Sequence, residues 1–166
     1  MSLQFTTGDI ETALDIMREA AQWQIDQKKL LWGLHTLTRE RLANPPEEYH
    51  VAWMDGESAA CCLLSFEDSF FWPNIPAGTS GFVHKIAVRR KFAGQGLAAQ
   101  VIDYAAQCCR AKGIPVLRLD TDVQRPKLCA LYEGLGFRRV GAVVKDLSKE
   151  GNSAALLVAL YEKELP

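Results

Sequence analysis

A chain of 166 residues is long enough to bury a sizeable core and of a length typical for one domain. Its 19 basic and 20 acidic residues nearly cancel, which excludes a polycation that binds nucleic acid or a membrane surface through bulk charge. No apolar run approaches the roughly 20 residues needed to span a bilayer, and the opening residues, with Asp9 and Glu11, do not read as a signal peptide, so a cytoplasmic protein is expected. The cysteines agree with that compartment. Cys61–Cys62 and Cys108–Cys109 are adjacent pairs and Cys129 stands alone, a pattern that suits neither disulfides nor a Cys-x-x-Cys metal site. Packing roles are expected, with one thiol of each pair inward, the other toward the surface, and no metal.

In chain order, Leu3 to Thr6 reads as a first strand. Thr7 or Asp9 caps a helix from about Ile10 to Gln27, on which Ile10, Ala13, Leu14, Met17, Ala20, Ala21 and Ile25 share a face. A second helical segment is expected over Leu34 to Leu42, stopped by Asn44-Pro45-Pro46. Tyr49 to Met54 and Ser58 to Phe66 form a hairpin at Asp55-Gly56, a dipeptide suited to the two positive φ angles of a tight turn. Trp72 to Gly78 is a loop rich in proline and glycine. Gly81 to Val88 is a further strand, apolar enough to be buried on both faces, with His84 in its middle. Simple alternation puts His84 on one face with Phe82, Ile86 and Val88, and Lys85 on the other.

The segment Ile86-Ala87-Val88-Arg89-Arg90-Lys91-Phe92-Ala93-Gly94-Gln95-Gly96-Leu97-Ala98 carries the strongest signal. A strand runs into a basic turn, two glycines, and a helix from about Gly96 to Lys112. The glycines allow close backbone approach and gather N–H groups into a nest, and the helix adds unpaired amides and the positive end of its dipole. Such a site suits a pyrophosphate, with Arg89, Arg90 and Lys91 adding charge. A P-loop is excluded because Leu97 and Ala98, not Lys-Ser/Thr, follow Gly96. A dinucleotide-binding turn fits loosely, with Ala99 in its last place and Asp120 closing the next strand. It belongs after the first strand of its fold, however, and about 80 residues precede this turn.

The same segment resembles motif A of the GNAT acyltransferase superfamily, where Arg/Gln-x-x-Gly-x-Gly/Ala opens the helix that cradles CoA. Gly96 and Ala98 fall on the small positions, and Ala93 stands where the family usually carries Arg or Gln. Downstream, Leu117 to Thr121 reads as a strand and Leu128-Cys129-Ala130-Leu131-Tyr132-Glu133-Gly134-Leu135-Gly136-Phe137 resembles motif B, with its Leu-Tyr-x-x-x-Gly-Phe ending. Pro126 suits the first helical turn and Gly136 the position after the last, while Arg125 stands where many members have Asn. Phe137 to Leu147 and Ala154 to Tyr161 then form an antiparallel pair across Lys149-Glu150-Gly151-Asn152. The resulting order, β-α-α-β-β-β-α-β-α-β-β, is that of the family. The resemblance implies an α/β fold over residues 1–166 as a single domain: a mixed, mostly antiparallel sheet flanked by helices, with splayed central parallel strands.

It also implies an N-acetyltransferase that moves an acetyl group from acetyl-CoA to a primary amine of a small molecule or peptide, by direct attack in a ternary complex. Ile86, Ala87 and Val88 would pair with the pantetheine, and the Val88 N–H would face the thioester oxygen. Arg89, Lys91, Ala93, Gly94, Gln95, Gly96, Leu97 and Ala98 would line the rest of the cofactor site. Tyr132 matches the family tyrosine that hydrogen-bonds the CoA sulfur and protonates the leaving thiolate. His84 is the candidate proton acceptor or substrate contact, against the plainer alternative of a satisfied core histidine. Glu67 and Asp68 are candidates for a cationic acceptor, and Phe71 and Trp72, beside prolines, are expected to be exposed enough to line its pocket. A homodimer through the terminal strands or a helix face is a further expectation. The alternative from another class is a non-catalytic acyl-CoA-binding or regulatory domain, favoured by Ala93 and Arg125.

Overall fold

The computed structural model describes residues 2–29, 32–42, 48–146 and 155–166; the Asn44-Pro45-Pro46 stop and the Lys149 to Asn152 turn lie outside them. Strand β1 (Leu3–Thr7) leads into α1 (Ile10–Asp26), which Asp9 caps. The Asp9 carboxylate accepts from the Thr12 N–H at 3.0 Å and from the Thr12 hydroxyl at 2.7 Å. Ala13, Leu14, Ile16, Met17 and Ala21 are buried along the helix, while Ile25 is exposed in its last turn. The helix expected over 34–42 is two pieces, a 3-10 turn at Leu34–Thr36 and a short α2 (Arg39–Leu42). Side chains cause the break. Arg18 on α1 donates its Nε–H to the Leu37 carbonyl at 3.0 Å, and the Thr36 hydroxyl donates to the Gly33 carbonyl at 2.6 Å.

Strands β2 (Glu48–Met54) and β3 (Glu57–Ser65) form the expected hairpin, with Asp55 at φ 51° and Gly56 at φ 85°. There follow β4 (Gly81–Val88), α3 (Leu97–Ala111), β5 (Val116–Asp122), α4 (Pro126–Gly134), β6 (Arg138–Asp146) and β7 (Ala155–Glu164). Among the described residues the strands form one sheet in the order β1-β2-β3-β4-β5-β7-β6. Every neighbouring pair is antiparallel except β4 with β5. Helix α3 covers one face through Val101, Ile102, Ala105, Ala106 and Cys109; α1 covers the other over Tyr49, Val51, Cys61, Leu63 and Ala87. Among the described residues no helix is long and apolar enough to cross a membrane.

The sheet opens in its middle. Strands β4 and β5 pair only at Gly81–Leu117 and Phe82–Arg118, and beyond those residues they diverge. In β4 the ladder with β3 slips at the same place: His84 faces Leu63 and Ala87 faces Cys61, so Lys85 and Ile86 together oppose Cys62. Lys85 takes φ 53°, a left-handed conformation that a side chain rarely adopts. This bulge bends the strand and resets its alternation. Val83, Ile86 and Val88 all pack toward α3, Ala87 packs under α1, and Phe82 packs with Trp72 and Leu160. His84 thus shares a face with Phe82 but not with Ile86 and Val88, a correction to simple alternation that the extra residue explains.

Cys61 and Cys62 are both buried, one on each face, because β3 is covered on both sides; the expected surface thiol is seen only in half-buried Cys108 beside buried Cys109. Burial pushes the Cys61 thiol up to about 12 and Cys109 to about 11, which leaves both protonated and inert. Cys109 also limits the base of the opening. A Cβ added at Gly81 would lie 2.3 Å from the Cys109 Sγ. Gly81→Ala is expected to destabilise the protein by about 1–3 kcal/mol, read as a lower denaturant midpoint, with much of the loss restored by adding Cys109→Ala. An unchanged midpoint in the single variant would remove this contact as a constraint on packing.

Candidate active site

The turn between β4 and α3 is built for an anion by its backbone. After a 3-10 turn at Arg90–Phe92, Gly94 takes φ 79° and Gly96 takes φ 74°, and α3 begins at Leu97. Gly96 occupies the N-cap without a side chain to give, and the first helical bond runs from the Gln100 N–H to the Gly96 carbonyl. The leading amides of α3 are therefore left for a ligand. Nothing lies within 4 Å of the Cβ positions of Gly94 or Gly96.

The neighbouring basic residues divide their work. Arg89 turns its guanidinium to α1, bonding Asp15 at 2.7 Å and Glu19 at 3.2 Å as well as Ser58 on the hairpin. Arg90 stacks on Trp23 at 3.9 Å and donates its N–H to Glu19 at 3.0 Å. These two side chains fasten the turn to α1. Lys91 pairs with Glu57 in the open, where an ion pair is weak, so it alone of the three is readily recruited by a phosphate.

The opened edge of β4 comes next. The Arg89 N–H donates to the Ala59 carbonyl at 2.8 Å, and Val88 stands opposite Ala60. Val88–Ala60 is then a non-hydrogen-bonded pair, and the N–H and C=O of Val88 point away from β3 toward the space β5 has left. Ile86 and Val88 direct their side chains to the α3 side, and Ala87 is buried on the other.

Tyr132 owes its position to the end of α4. Pro126 opens that helix and Gly136, at φ 91°, closes it. The Phe137 N–H donates to the Tyr132 carbonyl at 3.1 Å and the Gly136 N–H to the Glu133 carbonyl at 3.1 Å, the paired bonds of a Schellman motif. The ring contact that accompanies such a motif is Tyr132 against Phe137, with centroids 6.2 Å apart. The spacing Tyr-x-x-x-Gly-Phe thus locks the tyrosine into the core, against Tyr161 as well. Burial, and then the negative charges of Asp120 and Cys129, push its hydroxyl up to about 12. It stays protonated at neutral pH and is a hydrogen-bond donor there.

On the other face stands a cluster with His84 at its centre. Asp68, in the turn after β3, accepts from the N–H groups of Phe70 at 3.1 Å and Phe71 at 3.0 Å through Oδ1, which aims Oδ2 inward. That Oδ2 lies 3.5 Å from His84 Nε2, and Asp120 Oδ2 on β5 lies 3.7 Å from His84 Nδ1. Side-chain exposure is 7% for Asp68, 16% for Asp120 and 20% for His84, and neither Oδ2 has a hydrogen-bond donor among the described residues. Burial, reinforced by the charge of Asp68 and opposed by Lys85, pushes Asp120 up to about 7. Burial also lowers His84, against the pull of Asp68, so the imidazole is neutral near pH 7. One imidazole and two carboxylates within 4.8 Å are, by type, also a ligand set for a divalent ion.

Asp120 is absent from the acyl-transfer candidates read from sequence. The available signal was a carboxylate inside Leu117-Arg118-Leu119-Asp120-Thr121, on the face opposite the buried leucines. The other candidates spread out. Glu67 is exposed and outside the cluster, and Phe71 is partly buried. Trp72 is only 6% exposed, contrary to expectation, because Phe82 and Leu160 enclose it and the Arg118 guanidinium lies 4.9 Å above its ring. Across the opening, Lys85 lies over Trp32 at 5.0 Å, and Arg125 at the head of α4 reaches Gln24 on α1 at 3.4 Å.

Comparison with known proteins agrees with this architecture. A family profile described as Acetyltransferase (GNAT) family matches residues 13–137. The chain is 27% identical over 135 residues to N-alpha-acetyltransferase 30 of Saccharomyces cerevisiae, covering 74% of this chain and 77% of that protein. It is 28% identical over 147 residues to the uncharacterized N-acetyltransferase YesJ of Bacillus subtilis, covering 81% and 79%. Among solved structures, a GNAT family acetyltransferase from Elizabethkingia anophelis with acetyl-CoA bound shares the fold, with a TM-score of 0.65 at 19% identity over 98% of each chain. The opened sheet, the glycine turn and the matched family lead to one conclusion: the chain belongs to the GNAT family and is an enzyme that transfers acetyl groups.

Proposed function

We propose that the protein transfers an acetyl group from acetyl-CoA to a primary amine by direct attack in a ternary complex. The observation that carries this reading is the gap between β4 and β5, with an anion-binding turn at its head, Tyr132 on one face and the His84 cluster on the other. The pyrophosphate would sit on the amides from Gly94 to Ala98, with Lys91 and Gln95 beside it and Ala93 contributing backbone only. The pantetheine would lie along Ile86 to Val88 like an added strand. Arg89 would act through position, holding that turn to α1. The reading finds support in the related fold that holds acetyl-CoA.

In this reading each group has one step. The amine nitrogen attacks the thioester carbon, a C–N bond forms, and the oxygen that gains charge accepts from the Val88 N–H. Collapse breaks the C–S bond, and the sulfur leaves as a thiolate that accepts from the Tyr132 hydroxyl. Neutral His84 takes a proton from the nitrogen. On the acceptor side the reading keeps Asp68, whose Oδ2 lies beside His84, while Glu67 is exposed outside the cluster, Phe71 is partly buried and Trp72 is buried against Phe82 and Leu160.

Calorimetric titration tests the cofactor half, with NADH and ATP as controls. Selective 1:1 binding of acetyl-CoA in the micromolar range is expected, followed by thiol release when a primary amine is added. Gly96→Val is expected to weaken acetyl-CoA binding about 10-fold or more, because a branched side chain is strained at φ 74° and fills the open side of the nest. A folded, CoA-free protein that ignores acetyl-CoA would overturn the proposal.

A further inference from the structure

The His84 cluster is incomplete as it stands. Asp68 is bound at Oδ1 by two backbone amides and bare at Oδ2; Asp120 is bare at Oδ2 as well. The imidazole between them, at 3.5 and 3.7 Å, is beyond the usual hydrogen-bond range of about 2.7–3.2 Å. The cations around them donate to neither oxygen, although the charge of Lys85 reaches Asp120 and His84. Lys85 lies over Trp32, and Arg118 is held by Ser80, Glu162 and Trp72. Two desolvated carboxylate oxygens with no donor are costly to keep, and what relieves them is a compact cation with several N–H groups. The two oxygens lie within 4.8 Å, close enough for one ammonium to contact both at charge-assisted distances of about 2.8 Å.

The location fits a cation that comes and goes. His84 is on β4 and Asp120 on β5, each beyond the last residue at which the two strands pair, so the cluster faces the gap that the thioester would occupy. Resting on the acyl-transfer reading above, we propose that Asp68 and Asp120 seat the ammonium group of the acceptor. The acceptor's amine then arrives as a cation. His84 completes the step. It takes one proton from the seated ammonium, which frees the lone pair for attack. The nitrogen loses its second proton as the tetrahedral species collapses, and Asp120 accepts it. One proton is replaced on the thiolate by way of Tyr132, and the other leaves to solvent, which balances ammonium and acetyl-CoA against amide, CoA thiol and a proton.

Two measurements on the full chain test the seat. In the first, n-butylammonium chloride is added without acetyl-CoA while the ring resonances of His84 are followed by NMR. A saturable shift is expected, weakened about 10-fold or more in Asp120→Asn and in Asp68→Asn, the latter retaining an oxygen for the Phe70 and Phe71 amides. In the second, kcat/KM is compared for n-butylamine and for 2,2,2-trifluoroethylamine, which is uncharged at neutral pH. The ratio between them is expected to fall about 10-fold in either variant, which a merely structural loss would not produce. Butylammonium binding that ignores both substitutions, or an equal loss for both amines, overturns the seat. So does a divalent ion bound 1:1 through His84 whose removal by EDTA abolishes transfer, since the cluster would then be a metal centre. If butylammonium binds through the two acids but no amine is acetylated, the seat stands and the acyl-transfer reading falls. If butylamine is acetylated equally well by wild type and both variants, that reading stands and the seat falls.

Discussion

Tyr132→Phe is expected to lower kcat about 100-fold while leaving acetyl-CoA affinity within about 3-fold of wild type. The variant keeps the ring that packs on Phe137 and Tyr161 and loses only the hydroxyl. Burial has moved that hydroxyl up to about 12, against about 8.5 for a free thiol, so outright proton transfer is uphill by about 5 kcal/mol before the site assists. The same shift guarantees that the proton is present when the sulfur begins to gain charge. A donor held on the leaving sulfur, as proposed, would act chiefly on the transition state, which is why the loss is expected in kcat. Single-turnover and steady-state rates at saturating amine decide it; a variant with the wild-type kcat would remove Tyr132 from the reaction.

The second large effect concerns stability. Asp120→Asn is expected to raise stability at pH 8 and to change it little at pH 4. The wild-type carboxyl holds its proton up to about pH 7 in the folded chain and releases it near 3.8 when unfolded. Between those values the folded state binds a proton that the unfolded state does not. The stability this group allows is therefore full below the unfolded value, falls as pH rises, and is lost once pH passes about 7. Asparagine has no such dependence. The advantage of the variant should grow by about 1.4 kcal/mol per pH unit across that window and level off near 4 kcal/mol above it. Urea midpoints of the two proteins at pH 4.5 and 8 measure this directly. An equal difference at both values, or a less stable variant at pH 8, would show that Asp120 is not a strained anion. A buried carboxylate kept at a cost in stability is what the proposed ammonium seat leads one to expect.

What the sequence by itself determined is local in origin. Asp9 capping α1, Asp55-Gly56 turning the hairpin, Gly94 and Gly96 in left-handed conformation before α3, and Gly136 closing α4 each act through the backbone within a few residues. Those rules, with the periodicity of apolar residues, were enough for the element order and for the resemblance that the family match then established. What only the tertiary structure decided depends on partners far apart in the chain. Arg18 broke the helix expected at 34–42 by reaching Leu37, and Asp15 and Glu19 drew Arg89 away from the turn beside it. Phe82 and Leu160 buried Trp72. The bulge at Lys85, which no glycine announced, turned Ile86 and Val88 away from the face on which His84 meets Asp68 and Asp120. Backbone preference is settled within one turn and can be read residue by residue, whereas the charge and burial of a side chain depend on every strand that folding brings beside it.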